Sequence, residues 1–148
     1  MQLMLMDVLY GQHNNVSQLK QKDLNLKDGQ DMKQSLKVLQ RAAEVQNKKG
    51  NDYQNPNSRV RQADYYPRGC ATLLDTMYAK VLRMQSVLEA METDPNYQPN
   101  FESLEDSCVD IINYASFFVS YMNGGIDGQD PNRDFLNRPK VGTNDESE

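Results

Sequence analysis

Apolar residues recur along this chain in three runs at helical spacing. In the first, Met32, Leu36, Leu39, Ala43 and Val45 or Gln46 follow one another at about three and four residues, with Gly50 as a C-terminal stop, which predicts a helix over 31–49. In the second, Leu74, Met77, Val81, Met84, Leu88 and Met91 keep steps of three and four without a miss, which predicts a helix over 71–92. In the third, Leu104, Cys108, Ile111, Ala115, Phe118 and Met122 give the same stripe over 101–123, until Gly124 and Gly125 end it.

Breakers lie between the runs. Asn55-Pro56 and Tyr66-Pro67 keep the 50–70 connection out of helix, because the residue before a proline is driven from the helical region. Pro95 and Pro99 punctuate a short second connection. The expected fold is therefore all-α, an antiparallel bundle of three main helices. Residues 1–10, MQLMLMDVLY, form a short apolar segment that docks on the body or on a partner chain, and 11–30 read as a polar linker. Three divisions follow: an N-terminal segment over 1–30, a helical domain over 31–123, and a flexible acidic tail over 124–148. The last eight or so residues are expected to be disordered, with Phe135-Leu136 anchoring those before them. Stripes this wide favour a homo-oligomer.

Composition narrows the classes. The 148 residues suit one domain with one core. The N-terminal apolar run lacks a basic leader and is far shorter than the roughly 20 residues of a spanning helix, so a cytoplasmic protein is expected, without a membrane partner. A formal charge of -5 argues against general nucleic-acid binding, which needs a basic face for counterion release. Cys70 and Cys108 read as small buried hydrophobes near opposite ends of the bundle, where they would not pair. His13 is the only histidine, so a Cys/His metal cluster has too few members.

The charge is uneven. Between 48 and 68, Lys48, Lys49, Arg59, Arg61 and Arg68 outnumber Asp52 and Asp64, and Tyr53, Tyr65 and Tyr66 stand among them. Arginine grips phosphate with paired bonds, lysine offers a point charge, tyrosine rings stack on bases and aspartate accepts from hydroxyls or amines. On the third helix Asp106, Asp110, Asn113 and Phe117 fall at four, three and four, with Tyr114 beside them. Ser103-x-x-Asp106 also has the form of a capping box, whereas Asp110 and Asn113 lie too deep to cap. On the second helix Asp75 and Arg83 stand about 80° apart and Lys80 about 60° from Arg83, so all three lean to one flank. A solvated charged flank would show the same pattern.

The order KKGNDY (48–53), LLDTMYAKVLRM (73–84) and ESLEDSCVDIINYASF (102–117) resembles the phage-associated "nucleotide modification associated" family of the first type, over roughly residues 38–122. Lys49, Asp52 and Tyr53 match its K-x-x-D-Y block; Asp75, Lys80 and Arg83 match its second block; Asp106, Asp110, Asn113 and Tyr114 match its third. The resemblance implies a phage or prophage source and a part in nucleotide metabolism, and with it the host cytoplasm. More distantly the chain is similar to the all-α nucleoside triphosphate pyrophosphatases, which hold magnesium with paired acids on two helices. It departs from them in its first helix, where Glu44 stands without paired acids.

The expectation is a nucleotide-binding protein that sequesters a nucleotide-derived small molecule, such as a host immune signalling nucleotide, without chemistry and with no metal or other cofactor. Its site residues would be Lys48, Lys49, Asp52, Tyr53, Arg59, Arg61, Asp75, Lys80, Arg83, Asp110, Asn113 and Tyr114. The alternative is a magnesium-dependent nucleotide pyrophosphohydrolase, or another enzyme of phage nucleotide modification, with Glu102, Asp106 and Asp110 as metal ligands. A third reading is a structural or inhibitory protein that binds another protein through its oligomeric or loop surface, favoured by the apolar N-terminus and the loose tail.

Overall fold

The computed structural model describes residues 33–141. The expected N-terminal segment over 1–30, Met32, and the residues after 141 lie outside them. Three helices pack together: α1 (Gln34–Tyr53), α2 (Cys70–Thr93) and α3 (Leu104–Met122), with one 3-10 turn, Gln62–Tyr65, in the first connection. No described helix is long and apolar enough to cross a membrane.

α3 packs against both other helices. Contacts with α2 run in opposite order along the two helices, from Arg83 with Ser107 to Cys70 with Phe118. Those with α1 run in the same order, Arg41 meeting Glu105 and Lys49 meeting Asp110. The bundle is therefore up-down-up.

The helix bounds differ from the periodicity in two informative places. α1 does not stop at Gly50: the Gln54 amide donates to the Gly50 carbonyl at 2.8 Å, and the helix ends only where Asn55 precedes Pro56. Glycine within a helix costs about 0.5–1 kcal/mol relative to alanine and does not by itself end one. α3 starts at Leu104 rather than 101, because Ser103 caps it. The Asp106 amide donates to Ser103 Oγ at 3.0 Å, and Ser103 N donates back to Asp106 Oδ2 at 3.2 Å.

Helix rotation also differs from the expected stripes. On α2 the inward positions are Cys70, Leu73 and Val87, while Leu74, Val81 and Leu88 are exposed. On α3 Ser107, Val109, Asp110, Asn113 and Tyr121 are buried, and Cys108, Ala115 and Met122 are exposed. On α1 Ala42 is buried and Leu36, Leu39 and Ala43 are exposed. Each apolar arc is wide enough to offer two neighbouring seams, and the polar partners on the inward side decide which one turns in. Cys108 is thus not the buried hydrophobe expected, whereas Cys70 is, under a raised thiol pKa caused by burial.

The core gathers at one end of the bundle around Tyr66, Cys70, Leu73, Tyr121 and Ile126. The segment after α3 belongs to the same compact unit, and residues 124–141 are held on it by backbone bonds. Ala63 N donates to Asp127 O at 2.9 Å, and Cys70 N donates to Phe135 O at 2.8 Å. Leu136 packs against the core, so the anchoring expected of Phe135-Leu136 is met within the chain.

Gly69 makes that junction possible. Its φ of 55° and ψ of -128° lie where side chains are not tolerated. A Cβ there would also run into the Phe135 carbonyl and come within 2.8 Å of the Tyr121 ring. Gly124 has a φ of 72° but open space around it. Gly69→Ala should therefore lower the unfolding free energy by about 3 kcal/mol or more, through strain plus a backbone clash. Gly124→Ala should lower it by about 1 kcal/mol, through conformation alone. Urea denaturation of the two variants checks this, and equal losses would contradict it.

Candidate functional site

α1 reaches its last two turns beside the middle of α3, and there the two helices and the 3-10 turn enclose a cavity of about 460 Å³. Six carboxamides line it: Gln46, Asn47, Asn51 and Gln54 from α1 and its end, Gln62 from the 3-10 turn, and Asn113 from α3. Aromatic rings supply the rest of its character. Tyr53 and Tyr65 meet edge to face with centroids 5.4 Å apart, and Tyr66, Tyr114 and Phe117 form the side nearest the core. Lys49 and Asp110 are the charged groups in the wall.

Asp110 is 9% exposed and held from two sides. Lys49 Nζ donates to its Oδ1 at 2.8 Å, and Lys80 Nζ donates to its Oδ2 at 2.8 Å. Lys80 donates again to Glu102, at 2.7 Å to Oε1 and 3.0 Å to Oε2. Arg83 extends the network, donating to Ser107 Oγ at 2.7 Å and to the Glu102 carbonyl. One carboxylate thus ties α1, α2 and α3 together.

The protonation states follow. Burial pushes the Asp110 carboxyl up, but the bonds from Lys49 and Lys80 outweigh it and hold the pKa below its ordinary value of 3.8. The Asp110 bond raises Lys49 above the usual 10.5. For Lys80 burial works downward, yet its bonds to Asp110 and Glu102 leave it raised as well. Burial pushes the Tyr66 hydroxyl up to about 12 and raises that of Tyr114, so both remain neutral donors near pH 7.

Of the residues expected at a site, the structure brings Lys49, Tyr53, Asp110, Asn113 and Tyr114 to the cavity wall, with Lys80 and Arg83 behind Asp110. Asp75 lies elsewhere, exposed and paired with Arg68. Arg61 pairs with Asp127 at 3.1 Å. Lys48, Asp52 and Arg59 are exposed and do not line the cavity. The carboxamides of α1, and Gln62, escaped the sequence reading. Their signal was there: Gln46, Lys49 or Gly50, and Tyr53 continue at three and four the face on which α1 packs.

The three acids expected as metal ligands each have protein partners. Asp106 is engaged by Ser103 and by Arg41 at 3.3 Å, while Glu102 and Asp110 share the Lys80 ammonium. Among the described residues no three Cys, His, Asp or Glu side chains cluster as a cation site would require. The chain matches no family model, no curated protein and no solved structure.

The sign of each shift sets the pH dependence. A lowered Asp110 pKa contributes stability above about pH 4 that is lost as pH falls through its folded value. The raised lysines contribute fully below 10.5 and lose their share only above it. Asp110→Asn should thus flatten the acid limb of a plot of Tm against pH and cost about 1–3 kcal/mol at pH 7, by leaving Lys49 without its anion and Lys80 with Glu102 alone. An acid limb identical to that of the wild type would refute the assignment.

Proposed function

We propose that this protein binds a nucleotide-derived small molecule in the cavity between α1 and α3 and holds it without chemical turnover. The observation that carries this reading is the joining of an ammonium group, carboxamides and tyrosine rings from three segments around one space. A volume of about 460 Å³ is of the size that small-molecule sites use. Lys49 suits a phosphate, the rings suit a base face, and the carboxamides suit base edges and ribose hydroxyls.

Binding without turnover is favoured because Asp110 is, among the described residues, the only acid in the wall, and both its oxygens already accept from lysines. It is therefore poorly placed to take a proton or to hold a metal. In the phage setting implied by the resemblance of the three sequence blocks, such holding would sequester a host signalling nucleotide. The further partner that suits this chain is a second copy. Leu74, Tyr78, Val81 and Leu88 present one exposed apolar seam on α2 at spacings of four, three and seven.

Incubation with a nucleotide panel that includes cyclic dinucleotides, cyclic trinucleotides and ADP-ribose derivatives, with and without magnesium, tests the reading. The expected result is depletion from solution and recovery of the intact ligand after heat denaturation, with Lys49→Ala weakening affinity about 10- to 100-fold. A new product that appears only with magnesium would establish the pyrophosphohydrolase instead. Sedimentation equilibrium checks the oligomer: Val81→Glu should shift the chain to monomer, and an unchanged mass would remove that seam from consideration.

A further inference from the structure

Asn113 stands apart from the other carboxamides of the cavity. It is 7% exposed, on the third turn of α3, one turn after Asp110. Its backbone carbonyl accepts from Ser116 Oγ at 2.7 Å, yet no described residue bonds its side-chain amide. No fully enclosed side-chain nitrogen or oxygen among the described residues lacks a partner, so the Asn113 amide keeps an opening, and the space beside it is the cavity. An amide open in this way can bond whatever fills the cavity with matching groups.

We infer that Asn113 is the specificity-determining residue of this site and reads the hydrogen-bonding edge of a flat heterocyclic base. The inference rests on the nucleotide reading above and adds to it the part of the ligand that is recognised and the direction in which it enters. A carboxamide presents an acceptor and a donor side by side in one plane. That pair matches a ring edge with an adjacent donor and acceptor, as adenine offers with its amino group and a ring nitrogen. An edge with two neighbouring acceptors satisfies only half of it.

The surroundings agree. Tyr114 follows Asn113 in the chain and Phe117 lies one turn on, their rings 6.3 Å apart, so the amide opens beside aromatic surface on which a base can lie. Lys49 has a side chain 51% exposed, whereas Asn113 is buried, which places the cation towards solvent and the amide deeper in the wall. The base therefore enters first and the phosphate stays at the rim with Lys49. Selectivity comes from α3 and general affinity from α1.

Calorimetric titration of adenosine, guanosine, cytidine and uridine 5′-monophosphates, each beside its nucleoside and beside the analogue methylated on its edge donor, provides the test. The wild-type protein should prefer one base by about tenfold or more and lose that preference on methylation. Asn113→Leu should reduce the ratio between preferred base and methylated analogue to near unity, whereas Lys49→Ala should weaken every monophosphate by a larger factor than its nucleoside and keep the ranking of bases. The analogue comparison on the wild-type chain needs no variant, and Asn113→Ser serves where the leucine form does not fold. Monophosphates that bind with no ranking among bases, or a folded Asn113 variant with the wild-type ranking, would overturn this inference and leave the nucleotide reading standing. Failure of every monophosphate and nucleoside to bind would overturn this inference, and failure of the wider nucleotide panel as well would overturn both.

Discussion

The bundle turns on one carboxylate. Asp110 accepts from a lysine of α1 on one oxygen and from a lysine of α2 on the other, and it sits on the helix that both of them pack against. A buried carboxylate with a single partner would face a desolvation cost that the pair repays only with good geometry, and removing one member of such a pair exposes that cost in full. Two cations, with Glu102 on the far side of Lys80, leave the cluster close to balanced. The constraint acts on orientation more than on cohesion. To bring Lys80 to Asp110, α2 must present the seam that carries Cys70, Leu73 and Val87 inward, and Leu74, Val81 and Leu88 then face out.

This explains what the sequence showed and what it hid. Three helices in the right order were readable because the apolar positions recur at three and four, and their ends were readable wherever a proline intervened. The rotation of each helix was not, because apolar residues cover two adjacent seams, and periodicity cannot choose between Leu73 and Leu74. The choice lies in pairings between residues far apart in the chain, Lys49 with Asp110 and Arg83 with Ser107. Gly50 does not end α1, because a helical glycine costs only about 0.5–1 kcal/mol, and the helix runs on to the Asn55-Pro56 breaker.

The candidate site was legible in part. Asp110, Asn113 and Tyr114 stood out as polar and aromatic positions on an otherwise apolar helix, and Lys49 and Tyr53 as members of an odd cluster beside it. The basic loop drew attention for its charge, yet Arg61 and Arg68 are taken by Asp127 and Asp75. Uncharged amides carry no such flag in a sequence. Only the meeting of α1 with α3 shows that Gln46, Asn47 and Asn51 share a wall with Asn113.

The start of α2 depends on a residue far along the chain. The amide of Cys70, one of the first-turn donors that a helix cannot satisfy by itself, is met by the Phe135 carbonyl. During synthesis α2 emerges with that donor still turned to water, and it stays so while α3 and the segment beyond are made. Closure of the core end thus waits on a segment that follows all three helices.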